Sequence, residues 1–163
     1  MKTNDMRQRI TQLGNGAHAL AIQMLGNRDD AADAVHDAFV KVLKKPHAYN
    51  ADNGPLTPWF LRVVRNHCID LIRRRRPTGS EIEELADPGL GPEALLALSQ
   101  RDAKLQQALT KLSLVQREII VLRDYMDLGY AEIAAVLEVA PGTVMSRLHR
   151  ARMALKEELN RHE

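Results

Sequence analysis

The sequence predicts an all-α protein made of two small helical domains joined by a flexible acidic linker, with a helix-turn-helix in the second domain. Three observations carry this. Aromatic residues make up only 4% of the 163 residues, Ala and Leu are abundant, and no run of alternating Val, Ile and Thr offers a strand. Apolar residues recur at helical spacing on both sides of a Pro/Gly/acid-rich stretch. Near the C-terminus two short helical patterns meet at a turn, and the second is strongly basic. The expected boundaries are 1–76 for the first domain, 77–92 for the linker and 93–163 for the second domain.

The elements follow in order. Residues from about Asp5 to Gly26 read as one or two helices broken near Gly14 and Gly16, with Ala17, Leu20, Ala21, Met24 and Leu25 at helical spacing. Asn27 or Asp29 caps the next helix. Acids fill its first turns, Lys41, Lys44 and Lys45 close it, and Pro46 stops it, a charge order that complements the helix dipole. Its apolar stripe is Ala31, Val35, Ala38, Phe39 and Val42. Asp33, Asp37, Val40, Lys41 and Lys44 lie off that stripe. "HAYNADNGPLTP" reads as a loop. A long helix starts near Pro58, with Phe60, Val64, Cys68 and Leu71 on one face and Arg62, Asn66 and Arg73 on the other. In the second domain one helix spans about Glu93 to Lys111. The next starts at Ser113, where Ser113 and Gln116 match a capping box, with Val115, Ile119, Leu122 and Met126 as its apolar positions. A third runs from about Tyr130 to Glu138.

The formal net charge of +2 conceals an uneven distribution. Arg73, Arg74, Arg75 and Arg76 stand together, and Arg147, Arg150 and Arg152 cluster near the C-terminus. Residues 78–100 carry five acids and no Lys or Arg. Two basic patches around an acidic spacer point to a polyanionic partner. One cysteine, Cys68, excludes an internal disulfide and a multi-cysteine zinc site, and on an apolar stripe it reads as a small buried hydrophobe. No apolar stretch approaches the roughly 18 residues of a membrane span, and the N-terminal residues lack a signal-peptide core. The expected location is the cytoplasm, without direct membrane insertion.

In the last helix Val144, Leu148, Ala151, Leu155 and Leu159 form an inward stripe. Ser146, His149, Arg150 and Met153 point the other way, and Thr143 and Arg147 flank that outer face. The second helix of a helix-turn-helix meets base edges with its N-terminal residues. Arg forks onto guanine or holds a phosphate, and Ser and Thr contact either.

"EIAAVLEVAPGTVMSRLHRARMAL" resembles the C-terminal helix-turn-helix of extracytoplasmic-function (ECF) sigma factors, and "ALTKLSLVQREIIVLR" the paired helices before it. "DAADAVHDAFVKV" is similar to that family's polymerase-binding helix, and "TPWFLRVVRNHCIDLIRRRR" to its promoter-melting helix. The motifs cover nearly the whole chain in the family's order. The resemblance implies a non-catalytic initiation factor that binds core RNA polymerase, recognises promoter DNA and melts it, with an anti-sigma factor as a further partner. No cofactor or metal is expected. By that resemblance the core-polymerase contacts fall on Asp33, His36, Asp37, Val40 and Lys41. The −10 contacts fall on Asn50, Asp52, Asn53, Arg62, Asn66, Asp70, Arg73 and Arg74, with a flipped base captured by the loop from Asn50 to Thr57. The −35 contacts fall on Thr143, Met145, Ser146, Arg147, His149 and Arg150. The chain departs from the family pattern at Ala32, where an acid is common, at His36, where glutamine is common, at Met145, often basic, and at Asn53-Gly54-Pro55.

Asp33, His36 and Asp37, or His67 and Asp70, have the spacing of metal ligands on one helix face. A helical di-metal enzyme needs two Glu-x-x-His helices and two more carboxylates, and that set cannot be assembled. Trp59 reads as core before it reads as a base-stacking platform. The alternative function is a stand-alone helix-turn-helix regulator that binds duplex promoter DNA by itself.

Overall fold

The computed structural model describes residues 3–75 and 100–161, and those residues form helices and turns without a strand. The expected linker, Arg76 and the first turns of the helix expected from Glu93 lie outside the described residues.

Helices α1 (Thr3–Gln12) and α2 (Gly14–Leu25) break at Leu13, one residue before the first glycine. Gly26 ends α2 in the left-handed region (φ +84°), where a side chain would be strained, and its amide donates to the Ile22 carbonyl at 2.8 Å. Asn27 then caps α3 (Arg28–Lys44), its Oδ1 accepting from the Asp30 amide at 2.7 Å. Such a cap contributes about 1 kcal/mol. Pro46 ends α3 as expected, but the following segment is not formless. It makes two single 3₁₀ turns, Pro46–Ala48 and Ala51–Asn53. Helix α4 (Leu56–Arg74) begins two residues before Pro58, whose missing N–H costs nothing in a first turn.

The expected stripes are the buried ones. Ala31, Val35, Ala38 and Val42 of α3 meet Phe60, Val64 and Cys68 of α4 and Leu20 and Met24 of α2, and the Phe39 ring stands edge-on to Phe60 at 6.3 Å. Leu71 is only half-buried, while Leu61 and Ile69, off the expected stripe, are buried. Burial raises the Cys68 thiol to about 12, with the Glu118 charge adding to the effect.

The second half comprises α5 (Gln100–Thr110), α6 (Leu114–Ile120), a π-helical turn at Val121–Tyr125, α7 (Tyr130–Leu137) and α8 (Pro141–Asn160). The Ser113 capping box is present. Its Oγ accepts from the Gln116 amide, and its own amide donates to Gln116 Oε1, both at 3.2 Å. Glu138 ends α7 in the left-handed region (φ +58°), and Pro141 opens α8 two residues after Val139. Helix α8 packs on α6 and α7 through Val144, Leu148 and Ala151. The Arg152 guanidinium ties its middle to the Asp124 carboxylate of the π-turn.

The two halves pack directly on each other, α2 against α6 and the π-turn and α4 against α7. The seam continues the apolar core, with Met126 on Gly16, and holds buried charges within it. Arg117 and Glu118, neighbours on α6, are 1% and 0% exposed. Arg117 Nε donates to the Gln23 carbonyl at 3.1 Å, and its Nη1 to the Leu112 carbonyl at 2.8 Å. Glu118 accepts two bonds from Arg65 of α4, at 2.7 and 3.1 Å. Gln23 Nε2 donates to Gln106 Oε1 at 2.9 Å. Buried charges persist only when paired and hydrogen-bonded, so this seam depends on exact partners from the opposite half.

Candidate nucleic-acid interface

The outer face of α8 follows from its heptad-like stripe. With Val144, Leu148 and Ala151 buried, the 100° step per residue turns Met145, Ser146, His149, Arg150 and Met153 outward, and all five are exposed. Thr143 and Arg147 are half-buried at its flanks, as the spacing predicts. Met145 is 57% exposed, a large apolar side chain at the mouth of this face. Ser146 Oγ donates back to the Gly142 carbonyl at 3.1 Å. Its proton is therefore occupied within the helix, while its lone pairs remain free to accept. The α7–α8 turn is held locally. The Val139 amide donates to the Ala134 carbonyl at 3.1 Å; at the other end of α7, before its first residue, Arg123 donates to the Leu128 carbonyl at 2.8 Å and covers the Tyr130 ring at 5.1 Å.

In the first half, Asp33, His36, Asp37 and Lys41 line the exposed side of α3, with Val40 half-buried beside them. Asp37 Oδ2 lies 3.6 Å from His67 Nε2 on α4. A cavity of about 220 Å³ between α3 and α4 gathers Lys41, Lys45, Asn66, His67 and Asp70 around a floor of Val42, Val63 and Trp59. Residues expected to serve two different contacts, Lys41 on one side and Asn66 and Asp70 on the other, thus share one cleft.

The loop before α4 is shaped by its own side chains. Tyr49 Oη donates to the Gly54 carbonyl at 2.9 Å, and Asn50 Oδ1 accepts from the Asp52 amide at 3.0 Å. Gly54 adopts φ +129°, a conformation other residues rarely take. Asn50 and Asp52 are exposed, and Asn53 closes the second 3₁₀ turn. Trp59 is neither wholly core nor free: half-buried, it tilts against the Tyr49 ring with centroids 5.1 Å apart. A second cavity, about 110 Å³, is bounded by Tyr49, Asn50, Gly54, Pro55, Trp59, Arg62 and, from the other half, Ala135.

Asn66, Asp70, Arg73 and Arg74 are exposed along α4. Arg62 is not directed to open solvent as its position opposite the core stripe suggests. It is half-buried, with Nε 3.7 Å from Glu138 Oε1 at the end of α7. The second half approaches this side of α4, which no helical periodicity within α4 can reveal. Arg75, outside the expected set, pairs with Asp30 at 2.9 Å and ties the end of α4 to the start of α3. Sequence reasoning also missed Arg65, Arg117 and Glu118. For Arg117 and Glu118 the local signal is a charged pair inside an apolar run, "VQREIIVL". Among the described residues no group of three or more His, Cys, Asp or Glu is placed to hold a metal ion, and no helix is long and apolar enough to cross a membrane.

Residues 10–78 match the family model for sigma-70 region 2, and residues 102–155 that for sigma-70 region 4. The ECF RNA polymerase sigma factor SigE of Mycolicibacterium smegmatis is 33% identical over 94% of this chain, which spans 61% of SigE's length. The ECF RNA polymerase sigma factor SigM of Mycobacterium tuberculosis is 32% identical over 85% of this chain and 68% of its own. Among solved structures, the sigma factor RpoE in complex with the anti-sigma factor NepR from Bartonella quintana superposes with a TM-score of 0.75 at 28% identity, covering 96% of this chain and 97% of that one. A region 2 match on α1–α4, a region 4 match on the helices ending in the basic α8, and relatives of this identity lead to one conclusion: the chain belongs to the ECF family of sigma-70 RNA polymerase sigma factors.

Proposed function

We propose that this protein binds core RNA polymerase in the cytoplasm, directs it to promoters and opens the DNA there, residues 1–76 serving polymerase and the −10 element and residues 93–163 the −35 element. The observation that carries this is the pairing, in one chain, of a helix-turn-helix whose outer face is exposed with a cleft-bearing α3–α4 pair matching sigma-70 region 2. Asp33, His36, Asp37, Val40 and Lys41 offer a mixed-charge surface for the polymerase. Asn50, Asp52 and Asn53 border a shaped loop in which a flipped base can be held. Unstacking a base costs a few kcal/mol, offset by a pocket and by cationic contacts to the strand. Arg62, Asn66, Asp70, Arg73 and Arg74 supply the polar and cationic track beside that loop. Thr143, Met145, Ser146, Arg147, His149 and Arg150 meet the major groove. An anti-sigma partner is proposed because the aligned RpoE is seen with one.

The test is transcription in vitro with purified core polymerase. Initiation at defined promoters only when both components are present supports the reading. Specific duplex binding by the free chain with no effect of polymerase favours a stand-alone helix-turn-helix regulator instead.

A further inference from the structure

The outer face of α8 is not uniform, because its basic side chains are not equally free. Seven steps of 100° return Arg152 to within about 20° of Met145. Both Nε and Nη2 of Arg152 are held by the Asp124 carboxylate of the π-turn. Arg147 stands on the opposite flank, beside Thr143. On α8 itself, the flank that carries Met145 therefore offers no free guanidinium. The exposed Asp124 carboxylate beside it repels a phosphate. This flank is apolar and charge-poor on a helix that is otherwise basic.

Met145 lies near the start of α8, is 57% exposed and stands outside the apolar core. Its neighbour Ser146 donates its proton to the Gly142 carbonyl at 3.1 Å, leaving its oxygen to accept. Free donors begin at His149 and Arg150, about 6 Å further along the axis at 1.5 Å per residue. These facts limit which base edge the first turns can read. In the major groove guanine shows acceptors, N7 and O6, and is read by a donor, which Met145 lacks. Cytosine and adenine show amino groups, for which a thioether is a weak acceptor. Thymine carries an apolar group, its C5-methyl, which an apolar side chain meets by contact. An unbranched thioether chain adapts to that contact without a fixed hydrogen-bond geometry.

Resting on the promoter-reading function above, we propose that Met145 is a specificity residue: it reads one thymine of the −35 element through the C5-methyl group, on the charge-poor flank of α8, while reading by hydrogen-bond donors starts at His149 and Arg150.

The test uses holoenzyme, the full chain with core polymerase. A −35 element is first selected by transcription from a promoter library randomised at those positions. Each thymine of the selected element, on either strand, is then replaced singly by deoxyuridine, which pairs as thymine does and lacks only the methyl. With the parent, one replacement should weaken holoenzyme binding about fourfold, which corresponds to ~0.8 kcal/mol for one buried methyl. With Met145→Ala, thymine and deoxyuridine at that position should bind equally, while the other positions keep their preferences. Met145→Leu, apolar and of similar volume, should retain the fourfold discrimination. Both variants change an exposed helical site to a helix-favouring residue, so thermal melts should be unchanged. An element with no deoxyuridine-sensitive thymine overturns the proposal. So does a fourfold effect that survives in Met145→Ala, which reports duplex shape or another side chain, and so does its loss in Met145→Leu. Failure of the holoenzyme to initiate on any library member removes the promoter-reading function and this inference with it. Initiation without a methyl effect removes the inference alone.

Discussion

Tyr49 and Trp59 lean together, ring centroids 5.1 Å apart at 50°, across the base of the loop before α4, while the Tyr49 hydroxyl donates to the Gly54 carbonyl at 2.9 Å. The pair holds the loop in one shape before any ligand arrives. Tyr49→Phe keeps the ring contact and removes the hydrogen bond, whose net worth is about 0.5–1.5 kcal/mol. Promoter melting, followed by permanganate footprinting, should fall severalfold while affinity for core polymerase is unchanged. Melting equal to the parent's would show that loop shape does not matter.

Asp33 and Asp37 are exposed on α3. Their joint replacement by Ala should change folding stability by about 0.5 kcal/mol or less yet weaken core-polymerase binding by a few kcal/mol if each meets a cation there. A pull-down titration beside a thermal melt reads both quantities, and an unchanged titration removes α3 from the polymerase contact.

Arg150 is exposed on the outer face of α8 and Arg147 half-buried beside it. Arg150→Ala should cost about 1–3 kcal/mol at one −35 position if it forks onto a base. Arg147→Ala should weaken every sequence alike and lower the salt slope by about one. Transcription from single-base −35 variants at two salt concentrations separates these effects. Full activity of the double mutant everywhere would mean that α8 does not read DNA.

The Asp30 carboxyl is held below its ordinary value of 3.8, first by the hydrogen bond from the Asn27 side chain and also by Arg75, with burial opposing. A pKa lower in the folded than in the unfolded chain stabilises above about pH 3.8, and the stabilisation disappears as pH falls through the folded value. The Tm advantage of the parent over Asp30→Asn should therefore be full at pH 7 and 5 and shrink below about 3.8. An advantage that grows in acid would contradict the assignment.

Glu138 sits at φ +58°. Glu138→Gly and Glu138→Ala both delete the pair with Arg62, so their difference isolates the backbone. Gly should be the more stable by about 1 kcal/mol, since the left-handed region costs an L-residue about that much. That corresponds to roughly 2–4 °C in Tm for a chain of this size. Equal melting temperatures would show an unstrained turn.

Local chemistry was enough to read much of this protein from its sequence. The Asn27 cap, the Ser113–Gln116 box, the stop at Pro46 and the stripe Val144, Leu148, Ala151 depend on residues within one or two turns of each other. Their physics is complete in the local sequence, and with it came the outward set Ser146, His149 and Arg150. The seam was not legible there. Glu118 and Arg117 inside "VQREIIVL" look like surface charges, because a buried charge is tolerable only with its partner, and those partners, Arg65 and the Gln23 carbonyl, lie 53 and 94 residues away. The same distance effect turned Arg62 from an outward residue into Glu138's partner. Helical periodicity reports which face a helix buries against its own bundle. Only the tertiary structure decided what the second half would cover, because that is set by apolar packing, such as Met126 on Gly16, and by charge pairs between residues whose positions along the chain bear no relation to one another.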